Sequence, residues 1–283
     1  MQLTYPVSAE FDGKELLCLL RHLGLSATMI RRLKHSDGIC IDGHSVTVRH
    51  RLTAGQMVTL TLPEPPSNVR PVAMDLEIVC EDDWLLVVNK PSGMPTHPSA
   101  GHREDTLING LTYYLQNTPY TAHPITRLDR YTGGLTLFAK NPVAAADLCR
   151  QAKEGQIEKT YYAITSGIPH PPVGSVDRPI GRAEGSVITR RVREDGRPAL
   201  TLYETVAVKN GQALVKAKPV TGRTHQIRVH MASIGCPLTD DFLYGQERAG
   251  KIFRLTCFEL GFVHPLTKKR ITIKNPSELP NFD

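Results

Sequence analysis

Between residues 14 and 34 the apolar positions of this chain recur at helical spacing. Leu16, Leu17, Leu19, Leu20 and Leu23 form one face, which Gly24 ends in the manner of a C-terminal cap. Ser26 stands as the N-cap of a second short helix, with Met29, Ile30 and Leu33 as its apolar face. From Gly38 the period shortens. GICIDGHSVTVRHRLTAGQMVTLTLPE predicts short strands joined at the Asp42-Gly43 turn and closed by a strand over 57–62. Residues 63–71, PEPPSNVRP, carry no period and predict a stiff extended linker.

Beyond the linker the pattern turns globular again. Strands are predicted at 78–80 and 85–88, a helix at 106–115, and a buried strand in the apolar run 135–139. A helix follows at 144–153. The next strand, IEKTYYAITSG, places Lys159, Tyr161 and Ala163 on one side and Thr160, Tyr162 and Ile164 on the other. Residues 167–198 are rich in Gly, Pro and Arg and read as hairpin and loop. The strands LTLYETVAV and QALVKAKPV come next. A helix over 225–231 then stops near Gly235-Cys236-Pro237, and two closing strands flank a His264-Pro265 turn. The boundaries that result are a unit at 1–64, a linker at 65–74 and a larger unit at 75–283, with the first unit expected to move semi-independently.

Composition narrows the classes. The 283 residues carry a net charge of +6, which suits a polyanionic partner, and 40% hydrophobic residues, enough for a core. Six cysteines are scattered without a C-x-x-C pair, as expected of reduced thiols in the cytoplasm. The start of the chain lacks the pattern of a signal peptide, and no apolar run approaches the ~18 residues that span a bilayer. No membrane association is expected. There is no P-loop, no dinucleotide glycine fingerprint and no zinc-type Cys/His spacing, so neither cofactor nor metal is expected.

The candidate chemistry centres on HPITRLDRYTGGLTLFAKN, residues 123–141. Asp129 sits between Arg127 and Arg130 on a polar loop that feeds straight into the apolar run, where an acid is held rigidly. RLDRYTGGL resembles the active-site motif of the RluA/RluD-type family of pseudouridine synthases, with Thr126 where the family usually has His and Gly133 where it usually has Ser. NKPSG at 89–93, K-x-Y-x-A at 159–163, TGRTHQIRVHM at 221–231 and HPLT at 264–267 resemble further family motifs in family order. GLSATMIRRLK, GICIDG and LTAGQMVTL resemble an RNA-binding domain named after small-subunit ribosomal protein S-four.

The resemblance implies an α+β fold, a largely antiparallel mixed sheet with flanking helices, preceded by a small α/β RNA-binding domain. It implies isomerisation of uridines in structured RNA, ribosomal or transfer, by a monomer. In it Asp129 takes the place of the nucleophile, Tyr161 that of the active-site tyrosine, and Arg228 that of the basic residue paired with the aspartate. Arg127 is expected to prop the stack vacated by a flipped uridine, and Lys90, Arg223 and His225 to contact substrate. Attack at the base and attack at the anomeric carbon both remain open. Two readings from other classes compete: an RNA-binding protein on an inactive scaffold, against which Asp129, Tyr161 and Arg228 are all present, and a small-substrate hydrolase, which leaves the basic N-terminal unit without a purpose.

Overall fold

The computed structural model describes residues 2–62, 69–245, 252–277, 279–280 and 282. The first part of the predicted linker, residues 63–68, lies outside them. The N-terminal unit consists of β1 (Gln2–Pro6), α1 (Leu16–His22), α2 (Ala27–His35), β2 (Ile39–Ile41), β3 (His44–Ser45) and β4 (Met57–Thr61). Its sheet runs β1-β4-β2-β3, antiparallel throughout. The Ser26 hydroxyl accepts from the Met29 N–H at 3.2 Å, and Gly24 turns the chain at φ 84°, as the sequence predicts. Strand β1 is not signalled by the sequence: only Leu3 and Tyr5 alternate inward over five residues, and pairing with β4 organises them.

The larger unit continues with β5 (Glu77–Glu81), β6 (Leu85–Lys90), α3 (Leu107–Leu115), β7 (His123–Pro124), β8 (Gly133–Ala139), α4 (Pro142–Lys153) and β9 (Glu158–Ser166). Then come β10 (Val173–Asp177), β11 (Ile180–Arg182), β12 (Arg190–Val192), β13 (Leu200–Lys209), β14 (Gln212–Pro219), α5 (Gln226–Ser233), β15 (Leu255–Val263) and β16 (Arg270–Lys274). One large sheet runs β10-β13-β14-β9-β15-β8-β6-β5, with β16 beside β15 and β7 beside β8. Its pairs are antiparallel except β8 with β15. Strands β11 and β12 form a separate hairpin. This is the α+β architecture that the motifs imply.

Period-two alternation decides which helix covers which face. Leu85, Val87, Leu135 and Leu137 pack with Val143, Ala144 and Leu148 of α4, while Leu86, Val88 and Phe138 pack with Leu107, Ile108, Leu111 and Leu115 of α3. Strand β8 is therefore buried along its whole length. Gly134 has φ 103°, and a Cβ there would fall 2.2 Å from the Cys257 carbonyl oxygen. Only glycine lets β8 approach β15 this closely.

The two units share one apolar cluster. The Tyr5 and Trp84 rings meet at a centroid distance of 5.5 Å, and Gly24 sits against Asp147 of α4. A proline-rich connection marks where a boundary can fall, but apolar side chains on both sides of it are buried together.

Candidate active site

Asp129 stands on the loop between β7 and β8, and that loop is pinned from two directions. On the sheet side, Ile125 and Thr126 donate their N–H groups to the Leu137 carbonyl, and the Thr126 hydroxyl accepts from the Leu137 N–H at 2.9 Å. On the other side lies the NKPSG turn. Gly93 N–H donates to the Arg130 carbonyl, the Ser92 hydroxyl donates to the Tyr131 carbonyl at 2.7 Å, and Thr96 exchanges hydrogen bonds with the Leu128 backbone. The Asp129 side chain remains about one-third exposed, 33%. A carboxylate is thereby presented to solvent on backbone that has little freedom to move.

Lys90 is the centre of this pinning. Its side chain is 1% exposed, and its ammonium donates to the carbonyls of Pro91, Met94 and Arg130 at 2.9, 2.7 and 3.1 Å. Three acceptors match the three donors of an ammonium. Burial pushes the Lys90 pKa down to about 8, against the pull of the Asp129 charge. With its three donors spent on carbonyls, Lys90, expected from the resemblance to contact substrate, here clamps the Asp129 loop from beneath.

A cleft of about 800 Å³ opens over Asp129, within the size range of small-ligand sites. Tyr161 and Lys159 of β9, Arg127, Arg223, His225 and Arg228 all line it. Tyr161 is 6% exposed, and burial, reinforced by the Asp129 charge, raises its pKa well above the ordinary phenol value. The phenol is therefore a proton donor at neutral pH. Cys257, opposite Tyr161 on β15, is pushed up to about 12 by burial and stays a thiol. Arg127 is exposed at the rim, and the Arg223 Nε–H donates to the Pro198 carbonyl at 2.9 Å.

Arg228 lies in the cleft wall but does not pair with Asp129. Its Nε and Nη2 donate to the two carboxylate oxygens of Asp241, both at 2.7 Å, and both side chains are buried. The guanidinium also packs on the rings of Phe253 and Tyr244, 4.3 and 4.9 Å from their centroids. The expected Asp129–Arg228 pair is corrected: Asp241 matches the guanidinium fork in bidentate geometry, and its buried charge is balanced there. The basic side chain that approaches the Asp129 carboxylate is instead His225, with Nε2 at 3.8 Å from Oδ2.

Residues 84–233 match the family model described as RNA pseudouridylate synthase. The chain belongs to that family. A Bacillus subtilis protein named as an uncharacterized RNA pseudouridine synthase, YjbO, is 36% identical over 261 residues, 90% of this chain and 92% of its own. A Zymomonas mobilis protein named ribosomal large subunit pseudouridine synthase D is 37% identical, covering 76% of this chain and 73% of its own. The solved structure of the human RNA pseudouridylate synthase domain containing 1 protein superposes with a TM-score of 0.61 at 27% identity, over 76% of this chain and 86% of that one. The protein is an RNA pseudouridine synthase, an isomerase acting on RNA.

Within this synthase the two departures from the family motif are accommodated. Thr126 is buried and ties the loop to β8 through its hydroxyl. A Cβ at Gly133 would meet the Lys90 carbonyl at 3.5 Å, ordinary contact, so there is room for the Cβ of a serine. Sequence reasoning missed Asp241 and Tyr244. A signal for the acid existed, since an arginine flanked by Ile227 and Val229 on a helix between two strands needs a partner once buried. Nothing local marked which aspartate supplies it.

Proposed function

We propose that this synthase isomerises specific uridines in structured RNA, ribosomal or transfer, acting in the cytoplasm as a monomer, with Asp129 as nucleophile toward a uridine flipped out of its stack. The observation that carries this reading is the Asp129 carboxylate, partly exposed on a rigidly pinned loop at the floor of a cleft that also presents Tyr161. Isomerisation breaks the bond from ribose to N1 of uracil and forms one to C5; C5 loses a proton and N1 gains one. No redox change is involved. Asp129 supplies the attacking oxygen. Tyr161 supplies a ring to hold the base and, with its phenol protonated, a hydrogen bond to it. Extrusion of the base costs a few kcal/mol of lost stacking, and Arg127, exposed at the rim, is placed to fill the gap.

The relative named as acting on the large ribosomal subunit supports ribosomal RNA as the first substrate to test. The N-terminal unit supports the same reading as an S-four-like RNA-binding domain, since Arg31, Arg32 and Lys34 of α2 are all exposed. The test is tritium release from RNA labelled at C5 of uridine. Wild-type protein should release label, and folded Asp129→Asn should release none while binding the RNA as tightly. Sustained release by Asp129→Asn removes Asp129 from its role.

A further inference from the structure

The hairpin β11–β12 reaches the cleft through its connecting turn, where Ile188 is one of the lining residues. Val187 and Ile188 are 76% and 64% exposed at the tip, and Arg182, Arg190, Arg191 and Arg193 lie along its strands and flank. An apolar tip on basic strands suits contact with RNA bases and phosphates. The turn is stiff. Arg190 Nη1 donates to the carbonyls of Val187, Ile188 and Thr189 at 3.1, 3.1 and 3.2 Å, and the Ser186 hydroxyl accepts from the N–H groups of Ile188 and Thr189.

Where the turn enters β12 the Arg190 backbone N–H donates to the Tyr244 hydroxyl oxygen at 2.9 Å. That oxygen lies 2.7 Å from His225 Nδ1, and His225 Nε2 lies 3.8 Å from Asp129 Oδ2. One chain of polar contacts therefore runs from the hairpin to the reactive carboxylate. Proton accounting sets its direction. With the Tyr244 oxygen accepting from Arg190, its own proton is available to His225 Nδ1. Nε2 then carries the imidazole proton and directs it at Asp129. The opposite tautomer would aim two donors at the Tyr244 oxygen and turn the Nε2 lone pair toward a carboxylate.

The surroundings of the ring support a neutral imidazole. Burial lowers the His225 pKa; the Arg228 and Arg190 charges act in the same sense, and Asp129 and Asp241 oppose them. The backbone at His225 is left-handed, φ 58°, directly before α5. This conformation is costly for a residue other than glycine and persists where its surroundings impose it.

We propose that Tyr244 and His225 are positioning residues: Tyr244 holds His225 in the Nε2-protonated tautomer, and His225 orients the Asp129 carboxylate, linking the seating of the hairpin on RNA to alignment of the nucleophile. The proposal rests on the reading of Asp129 as nucleophile. The 3.8 Å gap closes to a hydrogen bond with a shift of about 1 Å, the kind of tightening that accompanies substrate binding.

Nitrogen-15 NMR of the full-length protein with labelled histidines reads the tautomer directly, with the His225 signals identified by their disappearance in His225→Gln. Wild type should show Nε2 protonated, and Tyr244→Phe should shift His225 toward a tautomer mixture. Asparagine tolerates the left-handed backbone but is too short to reach Asp129. His225→Asn should therefore lower the single-turnover rate by about 100-fold with RNA affinity unchanged, the effect expected for a misplaced reacting group. His225→Gln, whose amide N–H can reach the Nε2 position, should recover most of that rate. Nδ1 protonation in wild type overturns the proposal, as does a single-turnover rate unchanged in His225→Asn. Turnover by Asp129→Asn would instead overturn the nucleophile reading, and the tautomer measurement would stand.

Discussion

At Arg228 the Nε–Nη2 edge of the guanidinium is committed to Asp241, which in turn accepts the N–H groups of Leu243 and Tyr244. The pair therefore holds the turn that carries Tyr244. Arg228→Ala should destabilise the fold by roughly 3–5 kcal/mol, because it strands a buried carboxylate. Thermal melting checks this, and the destabilisation should be largely reversed in a double variant with Asp241 also replaced by an apolar residue. Lys90 acts by the same logic of stranded groups. Lys90→Met should leave three carbonyls short of a donor, at about 1–3 kcal/mol for each that water cannot reach. Its melting temperature should fall, and its single-turnover rate should fall further than its RNA affinity.

Helix α5 is buried along most of its length, and its polar residues are matched one by one. Gln226 accepts from the Thr221 hydroxyl and the Arg223 N–H, and donates to the Leu200 carbonyl and the Thr201 hydroxyl. His230 is fully buried; its Nε2–H donates to the Arg178 carbonyl and its Nδ1 accepts from the Thr201 hydroxyl, both at 2.9 Å. Burial holds the His230 pKa below its ordinary value of 6.5. As pH falls the unfolded chain takes up the proton first, so this contribution to stability is whole above 6.5 and disappears on descending from 6.5 through the lower folded value. The melting temperature should drop between about pH 7.5 and pH 5.5. His230→Gln should melt lower at the upper pH and show a shallower drop. At β8, Gly134→Ala should cost several kcal/mol, because the added Cβ meets backbone rather than a side chain that can turn away.

For the whole molecule, the apolar cluster shared by the two units predicts one cooperative unfolding transition, with far-ultraviolet and near-ultraviolet signals coincident in denaturant. Two separate transitions would show that the N-terminal unit folds on its own. Removing that unit would uncover Trp84, so truncation tests stability as much as RNA binding. Charge substitution on α2 is the cleaner probe. Replacing the exposed Arg31, Arg32 and Lys34 by Gln should lower RNA affinity and flatten its dependence on salt, by roughly 0.7–0.9 in log–log slope for each phosphate that is no longer neutralised. An unchanged slope would mean that this face is ordinary solvated surface.

The sequence by itself determined which segments become strands and helices, because burial on one side of an element leaves a period that can be read residue by residue. It placed Asp129 on a loop entering the core, put Tyr161 on a strand face, and carried the family motifs in order. The short β1 and β7 escaped it, since two to five residues hold too little period to register. Only the tertiary structure decided the polar pairings. Arg228 found Asp241, 13 residues away, rather than Asp129, and Lys90 turned inward to carbonyls that include one 40 residues distant. The apposition of Arg190, Tyr244 and His225 likewise exists only once the hairpin has folded back over α5. The physical reason is the range of the forces. Burial is a property that each residue carries with it, whereas a buried donor is satisfied by whichever acceptor the packed backbone brings within about 3 Å.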